Sequence, residues 1–287
     1  MGMQINTNIA ALNSYRNLSS TQNDLSKSLE KLSSGLRINR AADDAAGLAI
    51  SEGLRAQVRG LTVASRNAQD GISVIQTAEG SLTEVHSILQ RMRDLAVQGA
   101  NDSNNADSRT AIQNEANELS KELYRVQEST NFNGIDLLKG GTLNFQIGAD
   151  GDAAATDQIN NLAVTLADVA TSVGALIGTN GTTAGTGFDV TDATAAQATI
   201  ESIDTAITNI STDRAKLGAS QNRFESAVNS LSVAKENLTA AESRIRDTDM
   251  ASEMVKFTRS NILSQAGTAM LAQANQSNQG VLQLLRG

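Results

Sequence analysis

The stretch IDTAITNISTDRAKLGASQNRFESAVNSLSVAKENLTAAESRI, residues 203–245, carries an apolar residue at every seventh position. The pattern has no exception over six heptads and consists of Ile203, Ile210, Leu217, Phe224, Leu231, Leu238 and Ile245. A seven-residue apolar repeat of this length is typical of a coiled-coil helix. The alternate core positions are mostly polar, which indicates that the helix packs against more than one neighbour.

The N-terminal half of the chain offers a partner for this helix. Between Leu54 and Ala96, mostly apolar residues recur at alternating spacings of four and three, with one interruption. The spacing predicts a helix over about 44–98, roughly 80 Å long at about 1.5 Å per residue. No small domain buries such a helix by itself. A shorter helix follows the turn-forming stretch 99–108, and a short turn there would make the two helices antiparallel.

The composition also favours helix–helix packing. The chain of 287 residues has no proline, so nothing breaks a long helix, and only 2% of its residues are aromatic. It has no cysteine, which excludes disulfides, thiolate nucleophiles and cysteine metal sites. No apolar run approaches the length of a membrane span and no secretory signal peptide opens the chain, so we expect neither a membrane segment nor a cleaved leader.

The middle of the chain differs from both ends. From Gly140 to Asp213 it contains nine acidic residues and no Lys or Arg, whereas the rest of the chain has 22 acids and 23 bases. The net charge of −8 therefore lies in the middle, which favours a solvent-facing surface and argues against nucleic-acid binding. Strands are predicted at 142–148 and 163–169, and residues 178–187, GTNGTTAGTG, predict a surface loop.

Five segments follow from these patterns, and the fold class is mainly α. We predict long antiparallel coiled-coil helices from the two ends of the chain and a small central β-hairpin region. The segments are a first terminal helix with its joint (1–43), the helices of a rod (44–139), the hairpin and variable surface region (140–200), the heptad helix (201–246) and a last terminal helix (247–287). Terminal helices fray unless something covers them, so we expect a partner to bury both.

Several motifs resemble those of bacterial flagellins. They are INTNIAALNSYRNLS at 5–19, EKLSSGLRINRAADDAAGLAISEGLR at 30–55, ILQRMRDLAVQGAND at 88–102, STNFNG at 129–134 and NQSNQGVLQLLRG at 275–287. The resemblance covers about 1–150 and 200–287. It implies a subunit that polymerises into the flagellar filament for swimming, with both termini paired along an inner tube and the long helices in the next shell outward.

The resemblance also implies locations and partners. It implies export through the flagellar apparatus to the cell exterior with a chaperone, contact with flagellar junction and cap proteins, and recognition by a host Toll-like receptor at Arg91, Leu95 and Glu115. The residues expected to pack in the filament core are Ile5, Ile9, Leu12, Leu29, Leu32, Met254, Phe257, Met270, Leu282 and Leu285. The alternative within the family is a hook–filament junction protein, which would not polymerise indefinitely.

The joint between the first two helices contains two adjacent acids, Asp43 and Asp44, which are candidates for a metal site or an acid–base pair. Adjacent residues at a helix start point in different directions, so we expect them to favour the helix dipole rather than share a proton or a metal. Arg37 and Arg40 in the same joint are candidates to pair with acids of a neighbouring subunit. By resemblance the four residues form the spoke that connects the inner tube to the outer shell.

The sequence contains little that supports a catalytic function. His86 is the only histidine, no HExxH motif occurs, and the glycines lack the spacing of a phosphate loop. We therefore expect no enzyme activity, no cofactor and no metal, and we expect His86 to lie on a surface or in a helix seam. A secreted enzyme on a coiled-coil scaffold is the rival from another class, and an acidic adhesion module in 140–200 stays open.

Overall fold

The computed structural model describes residues 8–149, 151, 160–174, 176 and 188–286, with side chains up to residue 276. The predicted mainly helical fold with a small hairpin region is confirmed. The helices are α1 (Ile9–Ser34), α2 (Ala45–Gly99), α3 (Ala106–Ser129), α4 (Val169–Val173), α5 (Ala193–Arg246) and α6 (Met250–Arg286). The strands are β1 (Asn131–Phe132), β2 (Ile135–Asp136), β3 (Thr142–Gln146) and β4 (Asn161–Thr165).

The chain divides into two compact units. The terminal unit comprises residues 1–56 and 237–287, and the middle unit comprises residues 57–236. The terminal unit contains α1, α6 and the adjoining ends of α2 and α5. The middle unit contains the rest of α2 and α5 together with α3, α4 and the strands.

Within the middle unit, α2 runs antiparallel to both α3 and α5. Contacts between α2 and α3 join Arg91 to Glu115 and, further along, Ser81 to Thr130. The prediction of an antiparallel pair across the short 100–105 connection is therefore confirmed. Pairs between α2 and α5 likewise run in opposite directions along the two helices: Arg93 with Asp204, Glu79 with Arg214 and Gly71 with Phe224.

The core of the middle unit is built mostly from aliphatic residues, together with the buried aromatic rings of Phe188 and Phe224. Phe224 of α5 is fully buried, and its ring meets that of Phe145 in β3 edge-to-face, with centroids 5.5 Å apart. On α2, a Cβ at Gly71 would lie 2.8 Å from Cζ of Phe224. Because glycine leaves this space open, the ring can rest directly on the α2 backbone.

Two hairpins follow α3. In the first, β1 pairs with β2 through the turn residues Asn133 and Gly134, whose φ angles are 50° and 79°. Left-handed backbone at both turn positions is what an Asn-Gly hairpin favours. In the second, β3 pairs with β4 in antiparallel register from Thr142 opposite Thr165 to Gln146 opposite Asn161.

Three elements have other bounds than the sequence prediction. The strand predicted over 142–148 ends at Gln146, and the strand predicted over 163–169 runs over Asn161–Thr165. The second strand ends early because Asp168 accepts a hydrogen bond from the Thr171 amide and starts α4. The heptad helix begins at Ala193 rather than at 201, because Asp192 accepts a hydrogen bond from the Ala195 amide and caps an alanine-rich first turn. The predicted loop at 178–187 lies outside the described residues.

Candidate assembly interface

The two terminal helices α1 and α6 pair with each other in antiparallel order. Near one end, Asn8 Nδ2 donates to the carbonyl oxygen of Ala274 at 2.9 Å. Near the other end, Ser28 Oγ donates to Glu253 Oε1 at 2.7 Å. Between them Leu18 lies against Gly267. These contacts fix which faces of α1 and α6 meet.

The seam between α1 and α6 contains mostly small or polar residues. Buried and half-buried positions recur at spacings of four and three on each helix, as in a coiled coil. On α1 they are Ala11, Ser14, Leu18, Thr21, Leu25, Ser28 and Leu32. On α6 they are Glu253, Phe257, Ser260, Ser264, Gly267, Leu271 and Ala274. Such a seam brings the helices close together but buries little apolar surface.

The opposite faces of the same helices expose large apolar side chains. On α1 these are Ile9, Leu12, Tyr15 and Leu29. On α6 they are Met250, Met254, Val255, Ile262, Leu263 and Met270, and several of them line a shallow open groove. Most of the larger apolar side chains of the two helices therefore point away from the seam, and the exceptions within it are Leu18, Leu25, Leu32, Phe257 and Leu271. A contiguous apolar surface of this kind marks an interaction site.

The residues predicted to pack in a filament core divide into three groups. The exposed group consists of Ile9, Leu12, Leu29, Met254 and Met270. Two further residues, Leu32 and Phe257, are half-buried within the chain and lie in the α1–α6 seam. Ile5 and the side chains of Leu282 and Leu285 lie outside the described residues.

The joint between α1 and α2 places its two aspartates in separate roles. Asp44 Oδ1 accepts a hydrogen bond from the Gly47 amide at 2.8 Å and so caps α2. Asp43 Oδ2 accepts from the amides of Arg40 at 3.0 Å and Asn39 at 3.2 Å, and these backbone hydrogen bonds lower the pKa of Asp43. The two carboxylates share neither a proton nor a ligand.

The arginines of the joint have partners within the chain. Arg37 donates its backbone amide to the carbonyl of Arg246 and its Nη2 to that of Ile245, both at 2.6 Å. Arg40 Nε donates to Glu30 Oε1 at 2.9 Å, and that hydrogen bond raises the pKa of Arg40. A one-residue antiparallel bridge also pairs Leu36 with Asp247. The connection between α1 and α2 and the connection between α5 and α6 therefore lie side by side in the terminal unit.

The heptad residues of α5 lie in two different environments. Ile203, Ile210, Leu217 and Phe224 are fully buried in the middle unit. Beyond them, three residues are only half-buried: Leu231, Leu238 and Ile245. The same sequence repeat therefore forms a closed core in its first part and leaves partly open positions in its second.

The predicted receptor residues are not equivalent. Arg91 Nε of α2 donates to Glu115 Oε1 of α3 at 2.9 Å, and both side chains are about half exposed. Leu95 is 2% exposed because its side chain packs into the core of the middle unit. Of the three residues, Arg91 and Glu115 present polar groups at the surface and Leu95 does not, and their role in receptor recognition stays a prediction.

Catalytic and metal chemistry has no visible site in the described ranges. His86 is half-buried, and its Nε2 lies 2.9 Å from Nε2 of Gln90 on the next turn of α2. Among the described residues no group of three or more His, Asp or Glu side chains is placed to hold a metal. Within the same residues, no helix combines the length and hydropathy needed to cross a membrane.

Sequence reasoning missed the polar contacts that hold helices together. The Ser28–Glu253 hydrogen bond and the Arg93–Asp204 ion pair, with Nε and Oδ1 2.6 Å apart, link helices far apart in the sequence. The serine, glycine and alanine residues at heptad spacing on α6 were the available signal for the first of these contacts. The apolar positions of α6 give a different stripe, and many of its members lie on the outer face.

Long paired helices together with exposed apolar faces are typical of a structural protein that self-assembles. Comparisons with known proteins give the family. The model of the bacterial flagellin N-terminal helical region matches residues 5–142, and that of the C-terminal helical region matches residues 200–285. The chain therefore belongs to the bacterial flagellin family and is a subunit of the flagellar filament.

Relatives resemble the chain over their full lengths. It is 52% identical to a flagellin of Halalkalibacterium halodurans and 50% identical to one of Bacillus subtilis, with 99% of this chain and 100% of each relative covered. It is 46% identical to a flagellar filament 33 kDa core protein of Treponema phagedenis, with the same coverage. The crystal structure of Bacillus cereus flagellin aligns over 58% of this chain and 88% of its own, with 29% identity and a TM-score of 0.48.

Proposed function

We propose that the chain polymerises by burying the outer faces of α1 and α6 against those of other copies. The observation that carries the proposal is the orientation of these helices, whose seam contains mostly small and polar residues while most of their large apolar residues face solvent. A helix pair that a monomer needed to bury would place most of its large apolar residues in the seam.

Burial of the exposed apolar side chains favours the assembled state over the monomer. Fully burying a Leu, Ile or Met side chain contributes about 1.5–3 kcal/mol. The exposed residues on α1 and α6 therefore supply a large driving force when other copies cover them, offset by the entropy of association. Repeating a head-to-tail contact that does not close a ring gives a filament.

The segments take roles that follow from this arrangement. In our proposal, α1 and α6 line the inner tube, the joint at Arg37, Arg40, Asp43 and Asp44 is the spoke, and α2, α3 and α5 form the rod outside it. The chain is exported unfolded with the help of a chaperone and assembles outside the cell between junction and cap proteins. The absence of proline suits repeated unfolding, because no slow X-Pro isomerisation delays refolding.

A host receptor would contact the Arg91–Glu115 pair. We propose that a Toll-like receptor recognises the two half-exposed side chains and the neighbouring surface of α2, while Leu95 acts only by supporting the backbone below them. Substituting Arg91 by Ala should weaken receptor activation. Leu95→Met, which preserves volume, should leave activation unchanged.

A point substitution tests the assembly proposal. Ile262→Asn removes an apolar side chain that is 60% exposed on α6. We expect the critical concentration for seeded polymerisation to rise about tenfold or more, because a buried apolar contact between copies is lost. Sedimentation of the polymer measures this concentration.

The matched control is Val233→Asn on α5, where the side chain is also 60% exposed. It removes apolar surface of similar size away from the terminal helices, so the critical concentration should change much less. Equal effects of the two substitutions, or none from Ile262→Asn, would contradict the assignment of the interface to the terminal helices.

A further inference from the structure

Methionine sulfur is concentrated on the exposed surface of α6. The chain has six methionines and no cysteine, so thioethers are its only sulfur groups. Four of the methionines lie among the residues whose side chains the structure describes. Of these, Met250, Met254 and Met270 of α6 are between 47% and 62% exposed, whereas Met92 is fully buried in the middle unit. The accessible sulfur of the described residues therefore lies in the terminal unit.

Met254 and Met270 occupy two separate places on α6. Met254 directly follows the seam residue Glu253. Met270 directly precedes the seam residue Leu271, so the two methionines flank the seam on opposite sides at about 100° per residue. Along the helix they are about 24 Å apart at about 1.5 Å per residue. Met254 also lines the shallow groove that contains Ile262. A change at both sulfurs would therefore alter the apolar face at two distant points.

A hydroperoxide oxidises a thioether by transferring one oxygen atom. A sulfur lone pair attacks one oxygen of hydrogen peroxide, and the O–O bond breaks as the S–O bond forms. The remaining hydroxyl takes up the proton of the transferred oxygen and leaves as water. The product, methionine sulfoxide, is polar. Methionine sulfoxide reductases reverse the change, with a dithiol supplying two electrons and two protons and the oxygen leaving as water.

The sulfoxide penalises the polymer more than the monomer. In the monomer both oxidised side chains stay in contact with water, which solvates the new S=O group. Against another copy the sulfoxide oxygen needs a hydrogen-bond donor in place of that water. The α6 residues four positions from Met270 are Ala266 and Ala274, whose side chains donate no hydrogen bond. A buried acceptor without a donor is strongly unfavourable, so the oxidised face packs poorly against a neighbour.

The polar residues near Met254 are no better placed as donors. Thr258 Oγ1 donates to the backbone carbonyl oxygen of Met254 at 2.8 Å, so its hydroxyl hydrogen is already used. Arg259 is five residues further along the helix and therefore points about 140° away from Met254. Neither residue supplies a donor for a sulfoxide at position 254.

We propose that Met254 and Met270 form an oxidation-sensitive modification site, at which a hydroperoxide converts the thioethers to sulfoxides and so excludes the monomer from the polymer. The modification acts on the chain before incorporation, because other copies cover both sulfurs afterwards. The inference rests on the proposed function, which places these side chains at contacts between copies, and it adds a reversible chemical control of those contacts.

Partial oxidation of the full-length monomer tests the proposal. The monomer is partly oxidised with hydrogen peroxide, freed of peroxide and mixed with short seeds. Sedimentation separates the polymer from the chains that stay in solution, and mass spectrometry measures the sulfoxide at each methionine in both fractions. We expect chains with sulfoxide at Met254 or Met270 to be enriched in solution about tenfold or more, because a buried apolar contact is lost. Methionine sulfoxide reductases with a dithiol should return these chains to the polymer.

Two variants assign the effect to α6. The triple variant Met250→Leu, Met254→Leu and Met270→Leu keeps apolar side chains of similar volume, so it should polymerise with or without peroxide treatment. Met92→Leu, at a buried position of the middle unit, should leave the chain as sensitive to peroxide as the parent. Loss of assembly in the peroxide-treated triple variant alone would overturn the proposal, because the damage would then lie elsewhere in the chain. The enrichment measured in the parent chain depends on neither variant.

Equal sulfoxide content at Met254 and Met270 in polymer and solution would overturn the proposal. Loss of the thermal transition of the oxidised monomer would overturn it too, since oxidation would then act by unfolding the chain. Ile262→Asn, which changes no sulfur, tests the proposed function separately. If Ile262→Asn raises the critical concentration while oxidised chains polymerise normally, this inference fails and the proposed function stands. If neither change affects polymerisation, both fail.

Discussion

The middle and terminal units share the same heptad spacing but differ in the residues of their seams, which are large and apolar in the middle unit and mostly small or polar in the terminal unit. In the middle unit, α5 contributes four buried residues to a closed core: Ile203, Ile210, Leu217 and Phe224. In the terminal unit, α6 presents mostly serine, glycine and alanine to α1, with Phe257 and Leu271 as exceptions, and leaves residues such as Met254 and Ile262 in solvent. A heptad repeat thus specifies that helices pair, while the size of its seam residues determines whether one chain completes the core.

This contrast implies different kinds of stability for the two units. The middle unit buries its own apolar residues and should fold as a monomer. The terminal unit gains most of its stability from neighbouring copies, so its stability should depend on protein concentration.

Deleting residues 250–287 should have the largest effect. Without α6, α1 loses its partner and the assembly surface is gone, so we expect no polymer at any accessible concentration. The middle unit should keep its helical circular dichroism and cooperative thermal transition. If the truncated chain still formed filaments, assembly would not depend on the terminal unit. If the thermal transition were lost, the middle unit would not fold by itself.

Phe224→Ala should have the next largest effect and act on the middle unit. Removing a ring that packs on Gly71 and Phe145 should lower the free energy of unfolding by about 3–5 kcal/mol. Chemical denaturation of the monomer measures this loss. The control is Leu231→Ala, one heptad further along and only half-buried, where the loss should be clearly smaller. Similar losses at both positions would mean that the closed core extends beyond Phe224 to Leu231.

Asp44→Ala should have a moderate effect at the joint of the terminal unit. Loss of the cap on the Gly47 amide should cost about 1 kcal/mol and speed hydrogen exchange in the first turn of α2. Asp44→Asn keeps an acceptor oxygen in the same place and should behave almost like the parent chain. If the two substitutions accelerate exchange equally, Asp44 acts through its charge rather than as a cap.

Acid should have the smallest effect, confined to the α1–α6 seam. Burial alone would raise the pKa of Glu253, but hydrogen bonds from Ser28 and Lys256 and the charges of Lys256 and Lys31 hold it below its ordinary value. A pKa lowered by folding contributes stability above the unfolded value, near 4.3, and this contribution is lost as the pH falls through the folded value. Protection of the α1 and α6 backbone amides from hydrogen exchange should therefore fall in acid.

Glu253→Gln supplies the control for this dependence on pH. The amide oxygen still accepts from Ser28 but does not titrate in this range, so the acid-induced loss should shrink. An identical pH profile in both chains would show that other carboxylates control the seam.

Sequence patterns predicted the elements of the fold better than the roles of individual side chains. The α2 helix, its antiparallel partners and the Asn133–Gly134 hairpin followed from periodicity and turn chemistry, both of which are local. Whether Phe257 or Met254 faces the seam depends on the relative rotation of two distant helices, which no local pattern encodes. The burial of Leu95 and the partner of Glu253 depend in the same way on tertiary packing.

The central claim is that the outer faces of the terminal helices are covered by other copies, and methionine oxidation tests it most directly. Met254 and Met270 are 49% and 62% exposed, whereas Met92 is buried in the middle unit. Brief peroxide treatment, read by mass spectrometry, should oxidise Met254 and Met270 in the monomer but spare both in seeded polymer, with Met92 unreactive in each. Equal oxidation of Met254 and Met270 in monomer and polymer would contradict the account.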